Sequence, residues 1–179
     1  RENIKYKVVG GLRFYERSEI KDALAYFRVL VNEFDNLSLE RIINTPKRGV
    51  GKVLLKKLYE ISNREKITLI NSLKLFLEET KAPKSTIKNV QNFLYIIEKH
   101  KKLLINEEHS DVAGSLLDDV GYTEMLQNEK TPESEGRLEN LKKLIVDIKN
   151  RSSINEFLDE VSLLTDNINE TANSEKISL

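Results

Sequence analysis

Between Thr45 and Leu58 the chain reads TPKRGVGKVLLKKL, the stretch whose residue types and spacing say most about chemistry. Gly49 and Gly51 stand one residue apart around Val50, which lets the backbone turn tightly and come close to a surface. The apolar periodicity that begins near Lys52 predicts a helix whose first N–H groups point back into that turn. A helix mouth of this kind favours anions. Lys47, Arg48 and Lys52 surround it with positive charge, so the group is suited to hold a DNA phosphate in the manner of a helix-hairpin-helix element. Phosphate contact fixes position and carries no base information, so such binding is expected to be independent of sequence. The alternative is an ordinary helix-to-helix turn whose lysines face water.

Other candidate chemistry falls away on inspection. GVGK resembles the end of a nucleotide-binding loop, but the pattern G-x-x-x-x-G-K-[ST] needs glycine where Pro46 stands and a hydroxyl where Val53 stands. His100 and His109 are the two histidines of the chain, and with no cysteine to complete a metal site they are read as surface residues. Glu107-Glu108 and Asp118-Asp119 fall at expected helix ends and are read as solvated. No nucleophile and base stand in a catalytic pattern. The absence of cysteine also removes disulfides and thiol chemistry, and the lack of an export signal or long apolar run gives a cytoplasmic expectation with no membrane partner.

The elements that position the glycine turn are mostly helical. Ile4 to Val9 alternate and precede Gly10-Gly11, which predicts a short strand. Ser18 stands as an N-cap for an amphipathic helix running to about Asn32. A short helix follows through Leu37, Leu39, Ile42 and Ile43 and stops before Pro46. Helical periodicity then covers Val53 to Ile61, Thr68 to Leu77, Lys84 to Leu104, Ser110 to Val120, Glu133 to Lys149 and Ile154 to Leu164, with Pro83 and Pro132 at helix entries. TDNINETANSE, from Thr165, has the composition of a linker.

The 179 residues are enough for one ordinary core, and 39% hydrophobic with 32% charged residues fits a folded helical protein. Equal numbers of basic and acidic residues, 29 each, conceal a strong asymmetry. From Arg41 to Lys102 there are 15 Lys/Arg against five Asp/Glu, and from Leu103 to Leu179 seven against 17. The middle of the chain is therefore suited to follow a polyanion. Opposite helical faces solvated by Lys and Glu would give the same counts.

GGLRFYERSEIKDALAYFRVLVN, then RIINTPKRGVG, then GYTEMLQNEKTPESEGRLENLKKL closely resemble the UvrD/PcrA/Rep family of superfamily 1 DNA helicases, in the family's order and spacing. The resemblance implies a mainly α fold: residues 1–37 from a RecA-like motor domain (2A, contributing the strand and first helix), 38–165 as the irregular helical 2B domain, and 166–179 as a linker returning to 2A. It implies a parent that is an ATP- and magnesium-dependent helicase moving 3′ to 5′ in DNA repair and replication. The ATPase motifs lie outside this chain, so no enzyme activity or cofactor is expected of it. The implied partners are a duplex or fork junction, single-stranded DNA through the parent motor, and repair or replication proteins. The family's glycine hairpin maps onto Arg48, Gly49, Val50 and Gly51, and Arg13 is implied to approach single-stranded DNA. Two positions depart from the family: Leu54 stands where a threonine is common, and a second hairpin that tends to contain glycine is Ala82-Pro83-Lys84-Ser85-Thr86. Lys84, Ser85, Thr86 and the N–H groups after Pro83 are its remaining phosphate contacts. The competing expectation is a protein-interaction and autoinhibitory module that uses the acidic C-terminal helices.

Overall fold

A computed structural model describes residues 11–79 and 81–177. In chain order its helices are α1 (Gly11–Glu16), α2 (Ser18–Val31), α3 (Asn36–Ile42), α4 (Lys52–Glu65), α5 (Leu69–Glu79), α6 (Lys84–Asn106), α7 (His109–Asp119), α8 (Tyr122–Glu129), α9 (Pro132–Lys149) and α10 (Ile154–Ile177). The fold is mainly α, and no strand occurs among the described residues. The strand expected at Ile4 to Val9 lies outside them.

The hub is α2. Ala23, Leu24, Ala25, Tyr26 and Phe27 are buried in succession, as in a helix enclosed on several sides. It packs on α1, α3, α6, α7, α9 and α10, so one apolar core runs across position 37 into the later helices. Buried polar groups on the same helix fix its neighbours. Asp22 accepts hydrogen bonds from Arg41 Nε on α3 and from the Tyr122 hydroxyl on α8, both at 2.8 Å, and Glu19 accepts one from Asn140 on α9 at 2.8 Å. The Tyr15 hydroxyl on α1 donates to Asp147 at 2.5 Å, and Arg151 joins Asp147 to Glu160 on α10. Each is a case of a buried charge held by partners rather than left exposed to an apolar interior.

Three local expectations are corrected. Ser18 is the first residue of α2 rather than its cap, and Arg17 in the cap position makes no side-chain cap bond. The segment after Thr165, read as linker from its polar composition, continues α10 to Ile177. Thr165 and Thr171 return their hydroxyls to the carbonyls of Val161 and Asn167, which satisfies side chains that otherwise compete with a helix. His100 is not a surface residue: it is fully buried, with Nδ1 2.8 Å from the Ile96 carbonyl and Nε2 2.8 Å from Ser115 Oγ. His109 is half-buried against the Ile148 carbonyl.

Burial of three phenols gives the fold a defined alkaline limit. Desolvation pushes the Tyr26 hydroxyl up to about 12, and it carries Tyr15 and Tyr122 well above the usual phenol range, helped by the Asp147 and Asp22 carboxylates. These groups are neutral in the fold but ionise near pH 10 when unfolded. Their contribution is therefore complete below about pH 10 and is lost as pH rises through the folded values, at about 1.4 kcal/mol per pH unit for each group. We expect the urea midpoint to fall between pH 9 and pH 11, and tyrosinate absorbance to show only part of the chain's six tyrosines titrating before helicity is lost. Full titration near pH 10 with the helices intact would contradict this burial.

Candidate nucleic-acid interface

The glycine turn sits between α3 and α4, and burial alternates along it: Lys47 exposed, Arg48 buried, Gly49 exposed, Val50 buried, Gly51 exposed. The side chain of Asn44 holds it, Oδ1 accepting from the N–H of Arg48 at 2.8 Å and of Val50 at 3.2 Å. Gly49 adopts a left-handed backbone, φ +85, and a Cβ built there would lie 2.3 Å from Thr86 Oγ1. The missing side chain thus lets the α3–α4 turn close onto the first turn of α6.

That contact joins the two hairpins expected from the sequence. Gly51 caps α4 and Pro83 caps α6. The N–H groups of Lys52, Val53 and Leu54, and of Lys84, Ser85 and Thr86, donate no backbone hydrogen bond among the described residues, since the first closing bonds are Leu55 to Gly51 and Ile87 to Pro83. Between the two helix mouths lies a groove of about 620 Å³, with Gly49, Gly51, Lys52, Lys57, Lys81 and Pro83 among its walls. No carboxylate lines it among the described residues. Two helix N-termini and three ammonium groups therefore act on one space with the same sign.

The structure separates the candidate residues. Lys52, Gly49 and Gly51 line the groove, while Lys47, Lys84 and Ser85 are exposed beside it. Arg48 does not offer its guanidinium to a ligand. It is 6% exposed, and it donates through Nη1 to the carbonyls of Ile42 (2.8 Å) and Ile43 (3.1 Å) and through Nη2 to the Tyr26 hydroxyl (2.8 Å) and the Val120 carbonyl (3.1 Å). Its Cζ lies 4.7 Å from the Phe93 ring centre and 5.8 Å from that of Tyr26. The carbonyls belong to the ends of α3 and α7, where the helix dipole is negative. Arg48 is thus a cap shared by two helix C-termini. The Val50 side chain is a buried anchor, and Thr86, packed beneath Gly49, lines the floor of the groove with little of its surface exposed. Arg13 is exposed on α1, which packs on α2 and α10, and it is not among the groove residues. Sequence reasoning missed Lys57 and Lys81. Lys57 lies five residues beyond Lys52, roughly one and a half turns along α4.

The amino-acid sequence from 1 to 179 matches the family model described as the UvrD-like helicase C-terminal domain. The chain belongs to that family. Among curated UvrD-like relatives it is 42% identical over 165 residues to a probable DNA helicase II homolog of Rickettsia felis and 39% over 162 residues to DNA helicase II of Rickettsia typhi, each match covering 90% of this chain. It is 34% identical over 177 residues, 93% of the chain, to the ATP-dependent DNA helicase PcrA of Staphylococcus aureus. These matches span 24 to 25% of the relatives' own lengths, so the chain corresponds to about a quarter of such a UvrD-like protein.

Proposed function

We propose that this chain is the duplex-contacting regulatory domain, 2B with an adjoining part of 2A, of an ATP-dependent 3′ to 5′ DNA helicase used in repair and replication. It holds DNA through backbone phosphates, without sequence preference. The observation that carries the reading is the lysine-lined groove onto which the free N–H groups of α4 and α6 converge. Its natural ligand is a phosphodiester, because main-chain donors and ammonium groups recognise the shared charge of every nucleotide. ATP and magnesium belong to the parent motor in this reading, so the chain by itself is expected to show no DNA-stimulated ATPase.

Titration of a fluorescent hairpin duplex at several salt concentrations tests it. Affinity is expected at the weak end of roughly 10⁻⁴ to 10⁻⁶ M, with a slope of about 0.9 for each phosphate neutralised. Lys52→Gln and Lys57→Gln are each expected to lower the slope by about one contact, and Lys142→Gln, outside the groove, to leave it unchanged. Gly51→Val is expected to keep the fold, since nothing lies within 4 Å of a Cβ at that position, while weakening the duplex by standing before the free N–H groups. Unchanged binding in all three groove variants would refute the reading.

A second reading, a protein-interaction and autoinhibitory module, is favoured by a separate groove of about 380 Å³ between α7, α8 and α9, with Leu117, Leu138, Leu141 and Ile145 in its walls. Absence of salt-dependent duplex binding by the chain, together with capture of a repair or replication protein that is lost on Leu138→Lys, would favour that reading.

A further inference from the structure

A third cavity, of about 260 Å³, lies between α2, α3 and α10, away from the α4–α6 groove. Lys21 and Arg28 are seven residues apart on α2, two turns on one face, and Arg41 enters from α3. Leu24 and Val161 contribute apolar wall, and no carboxylate lines the cavity among the described residues.

Two groups in this wall lack the partners their burial calls for. Ser38 is 8% exposed and its N–H is satisfied by Asp35, but its hydroxyl makes no hydrogen bond among the described residues. The guanidinium of half-buried Arg28 makes no hydrogen bond or ion pair among them. Burial lowers its pKa and the field of Asp35 only partly opposes that, so the guanidinium is held where its charge is penalised. By contrast Arg41 is already oriented, its Nε on Asp22 at 2.8 Å, and it keeps other N–H groups for a ligand. Asp22 is itself occupied by Arg41 and Tyr122.

We infer that this cavity is a binding site for a phosphate-class oxyanion, held by Arg28, Arg41 and Lys21 and by the hydroxyl of Ser38. Guanidinium forks and a hydroxyl donor match the tetrahedral oxygens of phosphate, and a small half-apolar cavity strengthens those charge-assisted bonds. The phosphate enters either as a free ion or as one unit of a strand. The site is independent of the α4–α6 groove.

The test is an NMR titration of the whole chain with inorganic phosphate against sodium chloride of equal ionic strength, following the Arg28 side-chain Nε–H and the Ser38 amide. Phosphate is expected to shift both in a saturable way, and Arg28→Gln to weaken binding about tenfold, the loss of one charge-assisted bond. Ser38→Ala removes an unsatisfied hydroxyl and is expected to leave the fold intact while weakening phosphate several-fold; a merely structural serine would leave affinity unchanged. If Arg28→Gln does not fold, the exposed Lys21→Gln carries the same test. A short single-stranded oligonucleotide without terminal phosphates identifies the source: shifts at Arg28 assign a strand phosphate, and their absence beside a phosphate response assigns a free ion. No shift with either ligand, or equal shifts with chloride, overturns the site. Lys52→Gln is expected to leave the phosphate response unchanged, so its outcome is separable from that of the duplex groove.

Discussion

Arg48→Ala is expected to destabilise the fold by about 2–5 kcal/mol, because a buried hydrogen-bond network joining two helix ends is broken and a large side chain leaves the core. The substitution removes a guanidinium shared by three carbonyls and a phenol: the carbonyls of Ile43 and Val120 lose their donor, while that of Ile42 keeps the Thr45 N–H at 3.0 Å and the Tyr26 hydroxyl keeps its bond to the Thr45 carbonyl. Each buried acceptor left without a donor costs about 1–3 kcal/mol, although water entering the vacated space recovers part of it. Against a total stability of about 5–15 kcal/mol, a loss of this size shifts the urea midpoint far or leaves the chain unfolded. Arg48→Lys is the informative companion. It keeps the charge, but a single ammonium cannot reach the ends of α3 and α7 together while lying over the Phe93 ring, so about 2 kcal/mol should still be lost. A surface phosphate ligand predicts the reverse: stability within about 0.5 kcal/mol of the parent, and a shallower salt dependence of duplex binding. Chemical denaturation of both variants, paired with the salt slope of whichever folds, decides between them.

The distinction shows what the sequence can and cannot carry. Long amphipathic helices were legible because their apolar residues repeat at three and four, and α4 to α7, α9 and α10 start within about two residues of the expected positions. The helices α1 and α8 were not: α1 opens on the glycine pair expected to end a strand, and α8 follows α7 with few apolar residues of its own. Gly121, left-handed at φ +84, permits α8 to begin almost as α7 ends, which hides the boundary inside an apparent loop. His100 had a readable signal: it continues the stripe of Val90, Phe93 and Ile97 along α6, all buried. Its polarity outweighed its position. Arg48 was harder, since an arginine between lysine and glycine reads as a solvated cation. The clue was its place two residues before Val50, on the same side of a turn whose burial alternates. The helix ends that Arg48 caps come from positions 42–43 and 120, and no local pattern announces a partner 72 residues away.

Gly49→Ala is expected to cost about 2–4 kcal/mol, where Gly51→Val costs about 1 kcal/mol or less. Two independent terms combine at Gly49. A left-handed backbone at φ +85 penalises any side chain by about 1–2 kcal/mol. The new methyl also meets Thr86 at 2.3 Å (Oγ1), 3.1 Å (Cβ) and 3.2 Å (Cγ2), so rotating the threonine exchanges one clash for another and the start of α6 must move. Overpacking of this kind costs about 1–3 kcal/mol. Gly51, at φ −82 and ψ −172, occupies extended backbone open to all residues and has no neighbour to strike, so its loss is confined to a poorer helix cap. A cycle with Thr86→Ala separates the two terms. It removes Oγ1 and Cγ2 but leaves Cβ at 3.1 Å, so the double variant should recover most of the steric part while keeping the backbone penalty of about 1–2 kcal/mol. Urea denaturation of the four proteins gives the coupling energy. A coupling near zero would mean that Gly49 and Thr86 do not touch, and that the α4 and α6 mouths are not held together by this contact. A coupling above about 1 kcal/mol is the signature of residues in contact.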